Sequence, residues 1–176
     1  MGVTIHFSGK LRSLEGMAAI RSIASKWAKW WKCKVIDLED PWKELIRVRN
    51  GEVCIYESPV TGIALRPHPD AESLLLEFDS ELYMQHFCKT QFAPVQTHVE
   101  VVEFLREIEP HLEQFTVMDE AGYWENGNSD QLERQIAFGL QLIQRVADDP
   151  RLIAPFLKEE DGGKVDRLQH PRYSLN

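Results

Sequence analysis

The residues best suited to chemistry cluster in the second half of the chain, between positions 118 and 127. They comprise three carboxylates and two aromatic side chains: Asp119, Glu120, Glu125, Tyr123 and Trp124. Such carboxylates could serve as general acid and base or hold a cation, and the rings could stack on a ring or a sugar. The alternative is a turn whose acids face water and whose rings pack on the core.

A second candidate lies in the segment Phe87–Phe92, whose alternating pattern predicts a β-strand. Lys89 and Gln91 would share one face of that strand, because side chains alternate between the two faces. Lys89 could bind an anion or pair with a carboxylate, although an exposed lysine on an antiparallel sheet is the simpler interpretation. The candidate binding surface is this strand together with the turn at 119–126.

Recognised catalytic and metal-binding spacings are absent from the sequence. The six histidines form no His-x-His or His-x-x-x-His pair, and the acids do not follow the EF-hand pattern. No Gly-x-Gly-x-x-Gly segment, Walker-type loop or Gly-x-Ser-x-Gly turn occurs either. The sequence therefore predicts no metal and no cofactor, and it favours a non-enzymatic protein over an enzyme.

Composition indicates an ordinary globular protein of 176 residues with a net charge of −8. We expect one domain over residues 1–157 and a polar, flexible tail over 158–176. Residues 1–49 carry ten Lys and Arg against five acids, which could form a face for an anionic partner. The overall negative charge argues against nucleic acid, even though Trp27, Trp30 and Trp31 lie on a basic helix.

The sequence also predicts where the protein resides. No apolar segment approaches the length of about 20 residues that spans a membrane, and no secretory signal is visible at the N-terminus. The three cysteines form no Cys-x-x-Cys pair and indicate buried thiols in a reducing compartment. We therefore expect a cytoplasmic protein with no membrane partner.

The elements that must position these residues repeat along the chain. Two β-α-β units are predicted, at residues 6–40 and 87–120. In the first, Ser13 caps a helix that runs to about Cys33. In the second, Thr97 and Glu100 form a capping box, and Pro110 should kink or end the helix.

Between and after the units, the sequence predicts smaller elements. These are hairpin strands at 53–57 and 62–66, a strand at 73–78, a short helix within 79–86, and a helix at 130–148 that starts from a capping box of Asp130 and Glu133. The predicted fold is an α+β, ferredoxin-like split β-α-β sandwich with an inserted hairpin and an added C-terminal helix. This layout places the acids after the first unit far from Asp119 and Glu120.

Several segments resemble a set of uncharacterised bacterial proteins. The likeness rests on Lys89-Thr90-Gln91-Phe92, His98, Asp119-Glu120 and Tyr123-Trp124-Glu125, and Gly2–Phe7 is similar as well. The resemblance implies a bacterial, cytosolic origin and brings no activity, ligand or partner. In that set Tyr-Trp-Glu is followed by Thr-Gly-Asp, whereas here Asn126-Gly127-Asn128 follows, which weakens a cation-binding interpretation.

Three hypotheses of function remain open at this point. The first is a non-enzymatic binding or protein-interaction module whose partner is a protein or a small polar ligand. The second is a small hydrolase or lyase that uses carboxylates of the 119–125 turn, with Lys89 holding an anion. The third is an assembly subunit, a homo-oligomer in which the basic segment of one copy meets the acidic segment of another.

Overall fold

The computed structural model describes residues 3–49 and 51–149. The chain divides into two compact units, residues 1–140 and 141–176. The described part of the second unit, 141–149, is helical as far as Asp148. The predicted tail at 158–176 lies outside the described residues, and a single domain over 1–157 stays a prediction.

Six strands and four α-helices make up the described chain. They are β1 (Thr4–Leu11), α1 (Leu14–Trp30), β2 (Ile36–Arg49), β3 (Glu52–Leu65), β4 (Leu74–Phe78), β5 (Tyr83–Lys89), α2 (Val95–Ile108), β6 (Leu112–Asp119), α3 (Tyr123–Asn126) and α4 (Ser129–Asp148). A short 3₁₀ turn at Glu109–His111 follows α2. No helix in the described ranges is long and apolar enough to cross a membrane.

The strands form two three-stranded antiparallel sheets, with the orders β5-β1-β6 and β2-β3-β4. The protein is therefore α+β, as predicted. Helix α2 joins β5 to β6, and both strands pair antiparallel with β1, which lies between them. This is the second predicted β-α-β unit. The first differs from the prediction, because β1 and β2, the strands on either side of α1, belong to different sheets.

Helix α1 follows the predicted apolar pattern, although it ends at Trp30 rather than near Cys33. The Ser13 hydroxyl accepts a hydrogen bond from the Gly16 amide and caps the helix, as predicted. Met17, Ile20 and Ala24 lie at helical spacing and are buried. Together with residues of α2 and the inner faces of the strands they form the main core.

The region from 36 to 65 was predicted wrongly. Strands β2 and β3 pair along almost their whole length, and a register shift between Asp40 and Lys43 accommodates Pro41 and Trp42. The predicted hairpin strands at 53–57 and 62–66 largely form the single strand β3, and the Ser58-Pro59 segment between them lies inside that strand. Its place there is fixed by Ser58, whose buried hydroxyl accepts the Ser80 backbone amide.

The segment 79–86 is a tight turn followed by a strand, and the predicted short helix is wrong. The Asp79 Oδ1 atom accepts the backbone amides of Glu81 and Tyr83, which closes the chain directly from β4 into β5. The strand then ends at Lys89, three residues earlier than predicted, because a turn closes when the Ala93 amide donates to the Thr90 carbonyl.

Both predicted capping boxes are also wrong. Helix α2 begins after Pro94, so Thr97 lies inside its first turn rather than at its cap, although the helix ends before Pro110 as predicted. Helix α4 begins at Ser129, and the side chain of Asn128 accepts the Gln131 amide. Asn128 therefore caps α4 in place of the predicted Asp130.

Candidate functional site

The turn after β6 is organised by the side chain of Asp119, which is fully buried. Its Oδ1 atom accepts the Ala121 amide at 2.9 Å, and its Oδ2 atom accepts the Trp124 amide at 2.9 Å. The ring of His98 on α2 approaches Oδ2 through Nε2 at 3.1 Å. This carboxylate therefore fixes the backbone of the turn and attaches it to α2.

The electrostatics of Asp119 agree with that geometry. Burial raises the pKa of the Asp119 carboxyl, but the hydrogen bonds from His98, Trp124 and Ala121 outweigh burial and hold the pKa below its usual value. The group is therefore an ionised acceptor at neutral pH. A general acid in catalysis needs the opposite shift, toward a pKa near the working pH.

Asp119 is the first of three buried side chains that are linked in series, and the other two are His98 and Thr90. The Nδ1 atom of His98 lies 2.7 Å from the hydroxyl oxygen of Thr90, and the Thr90 amide donates to the Val3 carbonyl at 3.1 Å. With Nε2–H donating to the carboxylate, Nδ1 is left to accept the Thr90 hydroxyl. The order hydroxyl, imidazole, carboxylate is that of a catalytic triad, yet Thr90 and His98 are wholly buried, so no substrate reaches the hydroxyl. We interpret the linked side chains of Thr90, His98 and Asp119 as a structural clamp, and we call them the clamp. It connects β1, β5, α2 and β6.

Other predicted site residues are placed apart from this clamp. Glu120 is exposed, and its Oε2 atom accepts the Thr4 amide at 3.0 Å. Lys89 pairs with Thr4 from β5, on the other side of β1, and its Nζ lies 5.6 Å from the centre of the Phe92 ring. Glu125 is exposed. The structure therefore brings Lys89 and Glu120 to the two sides of Thr4.

The two aromatic residues of the turn are half-buried and pack inward. The ring of Tyr123 meets the His98 ring edge-on at 6.2 Å. The ring of Trp124 lies 5.3 Å from the Arg106 guanidinium, which also donates to the Trp124 carbonyl at 2.8 Å. This is the packed turn that the sequence offered as the alternative to a ligand platform.

Gln91 is wholly buried and does not contribute to a surface. Neither end of its amide has a hydrogen-bond partner within the described part of the chain. The amide instead abuts α4 at Gly139, where an added Cβ would lie 2.9 Å from Gln91 Nε2. A buried amide without partners destabilises the fold.

The sequence did not reveal an apolar surface on the hairpin of β2 and β3. We call it the hairpin patch and define it as Ile46, Val48, Val53 and Ile55. These side chains are 50%, 49%, 67% and 64% exposed. Ile46 lies directly opposite Ile55, and Val48 lies opposite Val53, so the four form two adjacent cross-strand pairs on one face.

The other face of the same hairpin segment is largely polar and turned inward. Arg47 is only 3% exposed, and its guanidinium donates to the Gln85 carbonyl and, at 3.4 Å, to the Glu77 carbonyl. The Glu77 carboxylate is in ionic contact with Arg47 and Lys43, and the His86 Nε2 atom lies 3.6 Å from it, which is longer than a hydrogen bond. The usual arrangement, with aliphatic side chains inside and polar ones outside, is largely reversed here.

The charges of this inner face are matched. Burial raises the pKa of the Glu77 carboxyl, but the neighbouring His86 and Lys43 outweigh burial and lower it to about 2. Near the tip of the hairpin, Asp79 accepts the Tyr56 hydroxyl at 2.5 Å and Arg49 at 3.2 Å. A one-residue slip would turn the hairpin patch inward, but it would leave Glu77 and Asp79 buried without their partners.

These contacts show why the patch was missed. The alternation at Ile46-Arg47-Val48-Arg49 is visible in the sequence and indicates a strand. Periodicity does not say which of two faces points inward. That choice depends on Glu77 and Gln85, which are 30 and 38 residues away from Arg47.

No family model, curated protein or solved structure matches this chain. Within residues 3–49 and 51–149, no group of three or more His, Cys, Asp or Glu side chains could hold a metal ion. The hydrolase or lyase hypothesis stays a prediction, and the arrangement around Asp119 offers it no free carboxylate oxygen.

Proposed function

We propose that the protein is a non-enzymatic protein-interaction module and that the hairpin patch is its docking face. One observation carries the proposal, which is that four aliphatic side chains are about half to two-thirds exposed while Arg47 between them is buried. They leave roughly 400 Å² of contiguous apolar surface, which is within the size range of the largest patches on monomers, and such patches are often functional. The ion contacts of the inner face prevent the hairpin from hiding that surface by rotation.

The occupant that we propose is a second copy of the chain. A symmetric dimer requires a patch that complements itself across a twofold axis. The hairpin patch has this property, because each strand contributes one isoleucine and one valine, and like residues face each other. The twofold axis would lie in the plane of contact and run perpendicular to the strands. It would place the Ile46–Ile55 pair of one copy against either the isoleucine pair or the valine pair of the other copy. It would also keep Glu44 and Glu57 of the two copies at opposite ends.

We expect the two copies to pack through the faces of their hairpins rather than to pair through the edges of their β2 strands. Strand β2 is at an edge of its sheet, and a free edge invites another strand. At Val48, however, the Gln85 side-chain amide takes the place of such a strand. It accepts the Val48 amide at 2.6 Å and donates to the Val48 carbonyl at 3.1 Å. The edge is blocked at the centre of the patch, whereas the face is open.

Sedimentation velocity over a range of protein concentrations tests the proposal. We expect a monomer–dimer equilibrium in the micromolar range, because the apolar area corresponds to a small interface. The double variant Val53→Thr with Ile55→Thr keeps β-branched side chains and removes apolar surface, so we expect it to be monomeric and folded. Ile36→Thr is the matched control, since Ile36 is an exposed isoleucine on β2 outside the patch.

The salt dependence of dimerisation distinguishes this proposal from assembly in which the basic segment of one copy meets the acidic segment of another. An apolar contact should hold or tighten as salt is raised, whereas a charge-led contact should weaken. A monomer at every concentration, or a dimer that the double threonine variant leaves intact, would contradict docking of a second copy on the hairpin patch.

The finer architecture and the location are part of the proposal. The passage of α2 from β5 to β6 around β1 supports a ferredoxin-like arrangement, which a crystal structure would test. Three free cysteines support a reducing, cytoplasmic compartment. Fractionation of cells that express the protein would test that location.

A further inference from the structure

A groove of about 520 Å³ lies between α1 and α2, separate from the hairpin patch. Its lining from α1 is Lys26, Trp27, Lys29 and Trp30, and its lining from α2 is Gln96, Glu100 and Glu103. This volume is in the range of small-molecule sites. The α1 side contributes cations and indole rings, and the α2 side contributes carboxylates and an amide.

The most exposed ring of the groove is held in a fixed position. Trp30 is 69% exposed, yet its indole N–H donates to Glu100 Oε1 at 3.0 Å. The neighbouring Trp31 donates to Glu100 Oε2 at 2.9 Å. One carboxylate therefore ties two indoles by their edges and leaves the face of Trp30 open, which is a preorganised stacking surface.

Two opposite charges across the groove have no partner among the described residues. Lys26 is paired with Glu107 at 2.5 Å, and Glu100 is engaged by the two indoles. The side chains of Lys29 and Glu103 make no ion pair or hydrogen bond within the portion of the chain that the structure describes. They face the same groove from opposite helices and do not neutralise each other.

We propose that this groove binds a small zwitterion with a carboxylate at one end and an ammonium group at the other. The carboxylate is held by Lys29, the ammonium group by Glu103, and the carbon chain lies on the face of Trp30. A ligand with only one charge, whether positive or negative, would pair with one of these two side chains and leave the other without a partner. A neutral ligand would use the ring and neither charge.

A series of ω-amino acids tests the proposal and measures the distance between the two charges. Glycine, β-alanine, 4-aminobutanoate and 6-aminohexanoate are titrated into the full chain, and the tryptophan indole N–H signals are followed by ¹H–¹⁵N NMR. Trp30→Phe assigns the Trp30 signal by its loss. Trp42→Phe is the matched control, because Trp42 is an equally exposed tryptophan on β2.

We expect one chain length to move the Trp30 signal with the highest affinity. Lys29→Gln and Glu103→Gln should each weaken that binding about threefold to fivefold, as for exposed ion pairs. Lys32→Gln and Glu109→Gln, exposed positions that do not line the groove, should leave it unchanged. Hexanoate and hexylammonium, with one charge each, should bind more weakly than the best amino acid.

The proposal is overturned if no member of the series moves the Trp30 signal, or if the singly charged compounds bind as well as the zwitterion. It is also overturned if Lys29→Gln and Glu103→Gln bind as the unaltered protein does. None of these results bears on the hairpin patch, so the two proposals fail independently.

Discussion

Replacing Asp119 by asparagine should destabilise the protein without removing any surface contact. The carboxylate of Asp119 receives three donors, from His98, Ala121 and Trp124. Asparagine has the same shape but only one acceptor oxygen, and its NH₂ group points at a donor. His98 can adapt by exchanging tautomers, so that Nε2 accepts the new NH₂ group and Nδ1–H donates to Thr90.

The expected loss of stability follows from the backbone amides of Ala121 and Trp124, because an amide N–H can only donate. In Asp119→Asn the substituted side chain can accept only one of the two backbone amides, so one buried N–H loses its partner. A lost partner of this kind costs about 1–3 kcal/mol. Asp119→Ala removes both carboxylate oxygens and leaves the amides of Ala121 and Trp124 without an acceptor, so it should cost about twice as much as Asp119→Asn.

Urea denaturation at pH 7 and constant protein concentration measures both changes, because constant concentration keeps any dimer contribution equal. Glu120→Gln is the matched control, since Glu120 is exposed and Gln keeps an acceptor for the Thr4 amide. We expect the control to change the free energy of unfolding by less than about 0.5 kcal/mol. If Asp119→Asn behaved like the control, the carboxylate would not be the structural centre of the turn.

The same variant tests the sign of the pKa shift. The folded pKa of Asp119 lies below its unfolded value of about 3.9. Stability from this group is therefore complete above the unfolded pKa and is lost as pH falls through the folded pKa. The difference in stability between the unaltered protein and Asp119→Asn should shrink as the pH is lowered from about 5, and a constant difference would refute the assignment.

Three further predictions concern other buried groups. Gln91→Met should raise the melting temperature, because it removes a buried amide without partners at similar volume, and a lower melting temperature would show that the amide is satisfied. Glu77→Gln should lose about 3 kcal/mol at pH 7, from a pKa lowered to about 2, and this loss should disappear in urea titrations as pH falls from 4.5 to 2. Burial raises the pKa of the Cys88 thiol to about 12, so a thiol reagent at neutral pH should label Cys33 and Cys54 first and Cys88 only at the rate of unfolding.

The parts of the fold that the sequence predicted well are governed by local rules. The cap at Ser13 and the apolar spacing in α1 involve residues within one helix, and they are correct. The stop before Pro110 rests on the geometry of proline alone. The same local reasoning failed at Thr97, because Pro94 sets the start of α2 one turn earlier.

The candidate site depended on contacts that are distant in sequence. Asp119 was identified as a functional carboxylate from its neighbours, but its role is set by His98, which is 21 residues away. Gln91 was assigned to a strand surface, but the strand ends at Lys89 and the side chain turns beneath α4. Of the seven residues predicted for the binding surface, only Asp119 belongs to the buried clamp, while Gln91 is buried elsewhere and Tyr123 and Trp124 pack inward. The role of Lys89, Glu120 and Glu125 in binding stays a prediction.

The most direct test of the hairpin patch is an isotope-filtered NOE experiment on a sample that mixes equal parts of labelled and unlabelled protein. Such a sample reports only contacts between methyl groups of different copies and needs no substitution. We predict intermolecular NOEs among the methyl groups of Ile46, Val48, Val53 and Ile55 at concentrations where sedimentation finds a dimer. A dimer whose intermolecular NOEs arise elsewhere, or a protein without any, would contradict the proposal that this inverted hairpin docks a second copy.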